Sequence, residues 1–512
     1  MIGIVDTMID RITMYRLVLY VLIVDVLAAF VLSFFVPMPF SHAEILLTAG
    51  LFLVFCFATD TVFSFVFRAP RNVESVYITA LILTLIITPV HATRDMPLVF
   101  WASVLSIASK YIFAVKRKHL FNPAAMGVVL TAIGAGESAS WWVGTLSMIP
   151  VVVFGGYLIV RKIKREDLVF SFLFTVMVLS GIATMVSGGD IFRLVKQMSL
   201  NTALLFFASV MLTEPLTSPG TKKKQIAFGV LTGALYVPWM HLGPIYSTPE
   251  LALVVGNLFS YFISSKEKLF LHLKNMEHIG DGLYDFVFPR EAHFTFTPGQ
   301  YVELTVPHDG SDSRGVRRYF TLASSPTEDT IRFGVKVQEQ GSSYKRVLRE
   351  LSGEVIASCL SGEFTLPKDV NVPMVWIAGG IGITPYRSMA KYLIDRKEKR
   401  SVVLLYVNKR AGEIVYKDVF DIASKEVGLR AVYALTDTVS IPKGWLTGSQ
   451  SPDEVRKAGR IDEAMLREIL PDYLSRTYFL SGPHAMVEGY RDILKKLGVP
   501  EKQIITDYFP GF

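Results

Sequence analysis

Hydrophobic positions divide this 512-residue chain into two halves of different period. From about residue 16 to 265, apolar residues run in long blocks broken by short charged loops. A helix of roughly 20 apolar residues crosses a bilayer. On that measure the blocks predict about ten spans, near 16–37, 44–66, 74–90, 98–115, 121–136, 142–160, 168–186, 200–213, 225–240 and 249–264. Beyond Lys266 the pattern changes. Short alternating runs, beginning with Leu269-Phe270-Leu271-His272-Leu273, are punctuated by Pro-Gly turns, as in a small β-barrel. From Met374 the strands become continuously apolar, as in a buried parallel sheet. The expected fold is multi-domain: a polytopic all-α membrane domain at 1–265, a β-barrel at 266–370 and a nucleotide-binding α/β domain at 371–512. The linker Pro367–Pro373 marks the second boundary.

Charge sharpens the membrane reading. The net charge is +7, yet the basic residues sit in short loops between apolar blocks, which points to membrane topology and not to nucleic acid. Alternating sides from a cytoplasmic N-terminus places Arg11, Arg16, Arg68, Arg71, Lys116, Arg117, Lys118, Arg161, Lys162, Lys164, Arg165, Lys222, Lys223, Lys224, Lys266 and Lys268 inside. Only Arg94, Arg193 and Lys196 fall outside. The positive-inside rule then predicts a multi-pass protein of the cytoplasmic membrane, with both termini in the cytoplasm. The first apolar block is long enough to be an anchor. Cys56 and Cys359 are too few and too far apart for a disulfide framework, and no metal site is expected.

Two stretches of the membrane half resemble each other. Ile78-Thr79-Ala80-Leu81 runs to Thr88-Pro89, and Asn201-Thr202-Ala203-Leu204 runs to Thr213-Glu214-Pro215. Each is followed by another span and then by a Pro-opened helix, at Pro123 and at Pro249. Five spans per half would make the copies inverted, and Pro-interrupted segments in inverted halves point to a site near the midplane. Asp25, Asp60 and Lys110 lie within predicted spans, where ionisable groups invite a functional explanation, and Asp60 could pair with Lys110. Asn122, Glu214 and Glu250 stand at broken helix ends, where helix N-termini suit a phosphate or a ring carbonyl. His42, His91, His119 and His241 all fall in loops or span ends, which argues against a haem held between facing helices.

The chemistry-bearing motifs of the second half begin with Arg318-Tyr319-Phe320-Thr321-Leu322-Ala323-Ser324-Ser325-Pro326. On a strand, Arg318 and Phe320 share one face, with Tyr319 and Thr321 on the other. A forked cation, a stacking ring and a hydroxyl suit a flat redox ring with phosphates. Ser342 and Ser343 open a short helix whose amides suit a pyrophosphate. The strand Met374–Ala378 feeds Gly379-Gly380-Ile381-Gly382-Ile383-Thr384-Pro385 and then a helix, a geometry in which backbone approaches a dinucleotide. Asn408, Lys409 and Arg410 end the next strand, on the adenosine side; Lys409 and Arg410 could accept a 2′-phosphate. Tyr478–Met486 carries Ser481-Gly482-Pro483, and the chain ends Thr506-Asp507-Tyr508-Phe509-Pro510-Gly511-Phe512.

These motifs resemble the ferredoxin–NADP reductase superfamily over about Leu269 to Phe512. The resemblance implies an FAD-binding β-barrel holding Arg318, Tyr319, Phe320, Thr321, Ser342 and Ser343 against the flavin. It implies a nicotinamide-binding domain using Gly379, Gly380, Gly382, Thr384, Pro385, Asn408, Arg410, Gly482, Pro483, Met486 and Asp507. Thr321, Ser481 and Phe509 would lie beside the hydride path, with Phe509 or Phe512 covering the flavin. Phe320 stands where the superfamily has Tyr, and Ser481 where it has Cys. A second resemblance rests on His119-Leu120-Phe121-Asn122-Pro123-Ala124-Ala125, Trp141-Trp142-Val143-Gly144-Thr145 and Met211–Pro219. These look like the RnfD/NqrB family of membrane proteins, from the Rnf complex and the sodium-pumping NADH:quinone oxidoreductase, over about residues 40–265. That family implies a ten-helix domain with flavins. Its Ser-Gly-Ala-Thr type site for covalent FMN has no counterpart here, which leaves a non-covalent FMN or riboflavin near Asn122 and Glu214.

The expected activity is a flavin-dependent NAD(P)H oxidoreductase. Electrons would pass from NAD(P)H through FAD to the membrane half, and on to an acceptor such as an extracytoplasmic flavoprotein or a quinone. An NAD(P)H:quinone reductase without transmembrane transfer is the alternative. A transporter with a regulatory reductase half is a reading of another class. Membrane lipid is an expected partner.

Overall fold

The computed structural model describes residues 12–38, 40–69, 72–115, 118–200, 203–237, 241–242, 245–264, 268–308, 316–337, 342–351, 353–437, 441 and 454–507. It divides into two compact units, Met1–Lys268 and Leu269–Phe512.

The first unit is helical. Its opening helices are α1 (Met14–Leu32), α2 (His42–Val66), α3 (Val73–Ile86) and α4 (Met96–Ile112). A two-stranded hairpin of β1 (Ala114–Val115) and β2 (Lys118–His119) leads into α5 (Pro123–Ala135). Then come α6 (Ile149–Ile163), α7 (Glu166–Val186), α8 (Ile191–Leu200) and α9 (Leu204–Phe206), the last running into a π-helical turn at Phe207–Met211. After α10 (Lys222–Tyr236), a second hairpin of β3 (His241–Leu242) and β4 (Ile245–Tyr246) leads into α11 (Pro249–Ile263). Capping explains several starts. Ser41 and Glu44 form a capping box on α2, while Asn72, Asn122 and Thr248 accept from the first turns of α3, α5 and α11. Glycines let helices approach closely. Gly127 of α5 faces Ser106 of α4, and Gly256 of α11 faces Thr232 of α10.

Each predicted span contains helix, with differences in detail. By length and composition, Met14–Leu32, His42–Val66, Leu146–Ile163 and Glu166–Val186 are the described segments able to cross a membrane. Val73–Ile86, Pro123–Ala135 and Pro249–Ile263 are apolar but shorter. The block expected at 200–213 is only α9 and its π turn among the described residues. The loop expected between the seventh and eighth spans holds the extra helix α8. Ile191, Leu194, Val195 and Met198 repeat at helical spacing there, opposed by Arg193 and Lys196; the segment is too short and too charged to register as a span. The hydrogen bonds found do not join Lys110 to Asp60. Lys110 Nζ donates to the Ser75 carbonyl and hydroxyl at 3.0 and 3.1 Å, and the Tyr111 hydroxyl donates to Asp60 at 2.7 Å.

The second unit opens with β5 (Leu269–His272), β6 (Asn275–Gly280), β7 (Leu283–Pro289), β8 (Tyr301–Thr305), β9 (Arg317–Thr321), β10 (Thr330–Lys336), α12 (Ser343–Arg349) and β11 (Glu354–Ser361). The strands assort into two antiparallel sheets, ordered β10-β7-β6 and β5-β11-β8-β9, not one continuous barrel sheet among the described residues. Alternate residues of both sheets, including Phe286, Phe288, Val302, Leu304, Phe333 and Val355, pack into a shared core that hydrophobic burial stabilises. At Gly299 the φ is +93° and the Phe364 carbonyl oxygen crowds the place where a Cβ would stand, so a side chain there would be strained as well as clashing.

The remaining elements are β12 (Met374–Gly379), α13 (Thr384–Arg396), β13 (Val402–Asn408), α14 (Lys417–Val427), β14 (Arg430–Leu435), β15 (Glu454–Ala458), α15 (Glu463–Ile469), β16 (Thr477–Ser481), α16 (His484–Lys496) and β17 (Ile504–Asp507). The six strands form one parallel sheet in the order β15-β14-β13-β12-β16-β17. Met374–Gly379 and Val402–Asn408 are buried throughout, which is why their sequences carry no alternation. Strand order reverses at β12, and ligands of such sheets bind at the carboxyl ends flanking that point.

Candidate functional site

Three groups of residues are candidates for a functional site. The first surrounds β9. Arg318 and Phe320 point to one face, as the alternation predicts, and both meet Tyr344. The Arg318 guanidinium lies 5.0 Å from the Tyr344 ring centre, and Phe320 stacks on that ring at 6.0 Å and 24°. On the other face, Tyr319 meets Tyr301 edge-on at 5.5 Å, and Thr321 pairs with Tyr301 across β8 and β9. Tyr344 directly follows Ser342 and Ser343, so the structure brings those serines to Arg318. Ser342 accepts from the Lys345 amide at 3.3 Å, and Ser343 Oγ lies 3.2 Å from His308 Nε2. The Tyr344 hydroxyl donates to the Leu304 carbonyl at 3.1 Å, which holds the ring fixed. Sequence reasoning missed Tyr344; its signal was an aromatic beside a serine pair, and its role depends on a strand far away in the chain.

The second group sits at the carboxyl ends of β12 and β16. Gly379, Gly382 and Gly482 interlock two loops. A Cβ on Gly382 would lie 2.5 Å from the Ser481 carbonyl and 2.6 Å from Gly482 Cα. A Cβ on Gly379 would strike Met486 and approach Pro483 at 3.1 Å. Gly380 is different: its φ is +53° and nothing lies within 4 Å of the Cβ position, so its backbone faces open space. Thr384 donates to the Ile381 carbonyl at 3.2 Å and Pro385 opens α13, which shapes the turn. Ser481 is buried and pairs with Ala378 on one side and Asp507 on the other. Asn408 ends the adjacent β13; it is buried, and by geometric criteria its side-chain amide makes no hydrogen bond among the described residues. Arg410 stays exposed beside Glu413 at 3.9 Å. Burial disfavours the Glu413 anion, but a 2.9 Å bond from Lys336 and another from the Lys409 amide hold its carboxyl below the usual range. Phe509 and Phe512 lie outside the described residues.

The third group lies in the helical unit. Asn122 and Glu214, 92 residues apart, meet: Asn122 Nδ2 donates to Glu214 Oε2 at 2.9 Å. Thr217 donates to the same carboxylate at 3.1 Å, and His119 Nε2 lies 3.3 Å from its other oxygen. The Asn122 backbone amide donates to Asn257 Oδ1 on α11 at 2.8 Å, while the buried Asn257 Nδ2 has no hydrogen-bond partner among the described residues. Groups buried this way are ordinarily hydrogen-bonded, so an open donor beside a satisfied carboxylate suits a ligand with acceptor oxygens. Glu250 is separate from this cluster and accepts from Trp141 Nε1 at 2.5 Å. Asn257 was not singled out from sequence, because a lone amide inside an apolar helix carries no local signal.

Comparisons with known proteins bear on the two halves of the chain separately. Residues 131–269 match the NQR2, RnfD, RnfE family, and residues 376–492 match the oxidoreductase NAD-binding domain. The chain therefore joins a segment of that membrane family to an oxidoreductase domain. A flavohemoprotein of Halalkalibacterium halodurans is 29% identical over 228 residues, covering 43% of this chain and 53% of its own length. The stachydrine N-demethylase reductase subunit Stc4 of Rhizobium meliloti is 26% identical over 222 residues, covering 42% of this chain and 58% of its own. The chain thus spans about half the length of the curated relatives it matches. The Amycolatopsis cytochrome P450 reductase GcoB is a similar solved structure, with 26% identity and a TM-score of 0.40 over 48% of this chain and 70% of its own.

Proposed function

We propose that this chain is a membrane-bound, flavin-dependent NAD(P)H oxidoreductase that delivers electrons to its helical half. The observation that carries the reading is the pair of interlocked glycine loops at the switch point of the parallel sheet, in one unit with the Arg318–Tyr344–Ser342 group. Gly380 offers backbone for close approach of a nicotinamide dinucleotide, and the buried Asn408 side-chain amide at the end of β13 suits its adenosine end. Arg318 and the amides behind Ser342 suit the pyrophosphate of FAD. The Thr321 hydroxyl is the candidate ring contact. Ser481 and Asp507, paired side by side, flank the nicotinamide position. When bound, flavin supplies the conversion of a two-electron hydride donor into single electrons. The chain's own residues hold the rings, align them and exclude water.

In the helical half we assign a second, non-covalent flavin, FMN or riboflavin, to Asn122, Glu214 and Asn257. The inverted repeat supports a path across the membrane. Helix α1 corresponds to α6, α2 to α7, α3 to α9 with its π turn, α4 to α10 and α5 to α11. Packing follows the correspondence: α2 meets α4 as α7 meets α10, and α4 meets α5 as α10 meets α11. The self-related pairs, α1 with α6 and α5 with α11, are also in contact. Each copy inserts a two-stranded hairpin before its Pro-opened last helix. Both termini are cytoplasmic in this reading, and the acceptor lies in the membrane or outside.

Flavin analysis of the purified protein, before and after acid precipitation and with optical spectra, tests it. FAD plus a released FMN or riboflavin is expected. FAD alone removes the path through the helical half and leaves the second reading, an NAD(P)H:quinone reductase whose headgroup site is the Asn122–Glu214 cluster.

A further inference from the structure

The two stretches assigned to the cofactors are bolted together by buried side chains, and we propose that Arg387 is the positioning residue that sets their separation. The proposal rests on the flavin–nicotinamide reading above. Arg387 lies in the first turn of α13, five residues past Gly382. Its Nη1 donates to the Ala323 carbonyl at 3.0 Å, two residues past Thr321 on the β9 exit. Both terminal nitrogens also grip Glu328, one of them at 2.9 Å, in a bidentate pair whose side chains are 8% and 15% exposed. Glu328 in turn accepts from the Ser325 amide at 2.6 Å. The next residue, Ser388, donates to the Ser324 carbonyl at 2.6 Å. Thus Ala323, Ser324 and Ser325, the segment leaving β9, are each tied to the helix leaving the glycine loop.

The rest of the surroundings keeps the guanidinium in place. Tyr416, in left-handed backbone with φ +59°, sets its ring 5.7 Å from the Arg387 guanidinium and donates its hydroxyl to Asp285 of β7. Burial raises the Asp285 carboxyl, against the pull of that hydroxyl and of Arg387 and Arg332. Burial followed by the Asp285 charge drives the Tyr416 phenol far above its ordinary value, so it stays a donor. Arg387 Nε is buried and has no hydrogen-bond partner among the described residues. A fold seeking only stability gains little from a buried ion pair, because desolvation offsets the attraction. What this pair provides is geometry: a planar fork fixes direction as well as distance. A misplacement of about 1 Å between reacting groups costs about a hundredfold in rate. Arg387 itself stands behind both loops, so it acts through their backbone.

The test is rapid mixing of full-length, flavin-loaded protein with NADH, following loss of the visible flavin band. In Arg387→Gln the limiting bleaching rate should fall about 10- to 100-fold, with flavin content and the half-saturating NADH concentration within about twofold. The isotope effect with NADH deuterated on the transferred position should rise, and Arg387→Lys should restore part of the rate. Glu328→Gln should reproduce the loss. A bleaching rate within threefold of the parent overturns the proposal, as does a rise confined to the NADH requirement. Should Arg387→Gln fail to hold flavin, Ser388→Ala removes one hydrogen bond and carries the same test. An expected slowing of about fivefold supports the proposal, and an unchanged rate overturns it. A parent protein that neither NADH nor NADPH bleaches would fail the functional reading instead.

Discussion

At the scale of single residues, charge and shape decide separate matters. Glu413 is buried between Lys336 of β10 and the Lys409 amide. Its carboxyl titrates below the ordinary range, so the stabilisation is complete above the unfolded value and is lost as pH falls through the lowered folded value. Glu413→Gln should therefore lower stability by about 1–3 kcal/mol near neutral pH, and the difference from the parent should shrink in acid. Thermal melts of both full-length proteins across that range check it; a constant gap would discount the ionic role. Gly382 tests shape. Its Cβ position is occupied by the backbone of Ser481 and Gly482, which cannot turn away as a flexible side chain would. Gly382→Ala should cost about 1–3 kcal/mol and abolish flavin bleaching by NADH, as melting and rapid mixing would report. These glycines were legible in the chain because a run of three within four residues has few uses. Their neighbour across the sheet was legible only as a motif. The Glu413 pairings were not legible, since Lys336 is 77 residues away.

At the scale of elements, punctuation was read more easily than pairing. Prolines at 123 and 249 open α5 and α11, and Asn122 and Thr248 cap them. The alternation around Arg318 named the faces of β9 correctly. The hairpins before α5 and α11 went unread, because two-residue strands hold no period. They now mark the proposed inverted halves. With Cys56 and Cys359 replaced, Lys118→Cys and Tyr246→Cys would place single thiols on the two hairpins. A membrane-impermeant thiol reagent should reach Lys118→Cys from the side of the soluble unit and Tyr246→Cys from the other. Labelling of both from one side would sink the inversion. Helix α8 escaped the span pattern for a physical reason: its apolar face repeats at helical spacing, but Arg193 and Lys196 lower its mean hydropathy.

At the scale of the whole molecule, two chemistries share one chain. The helical unit gathers His119, Asn122, Glu214, Thr217 and Asn257 from four segments into one polar cluster. Glu214→Ala should reduce the FMN or riboflavin released by acid from the purified protein about tenfold while the FAD stoichiometry holds; equal loss of both would show general unfolding. The sequence by itself determined where the apolar blocks lie, where the chain leaves them and which loops are rich in glycine. Those features are local, written in composition and spacing, and need no partner to be recognised. Only the tertiary structure decided that Tyr344 joins Arg318 to the serine pair, that Arg387 ties the exit of β9 to α13, and that Asn257 completes the Asn122–Glu214 cluster. Each of these contacts links residues far apart in the chain, and no short-range pattern specifies which distant side chain will fill a given place. The packing of helices and sheets chooses it, because a buried polar group must find its partner wherever the fold brings one.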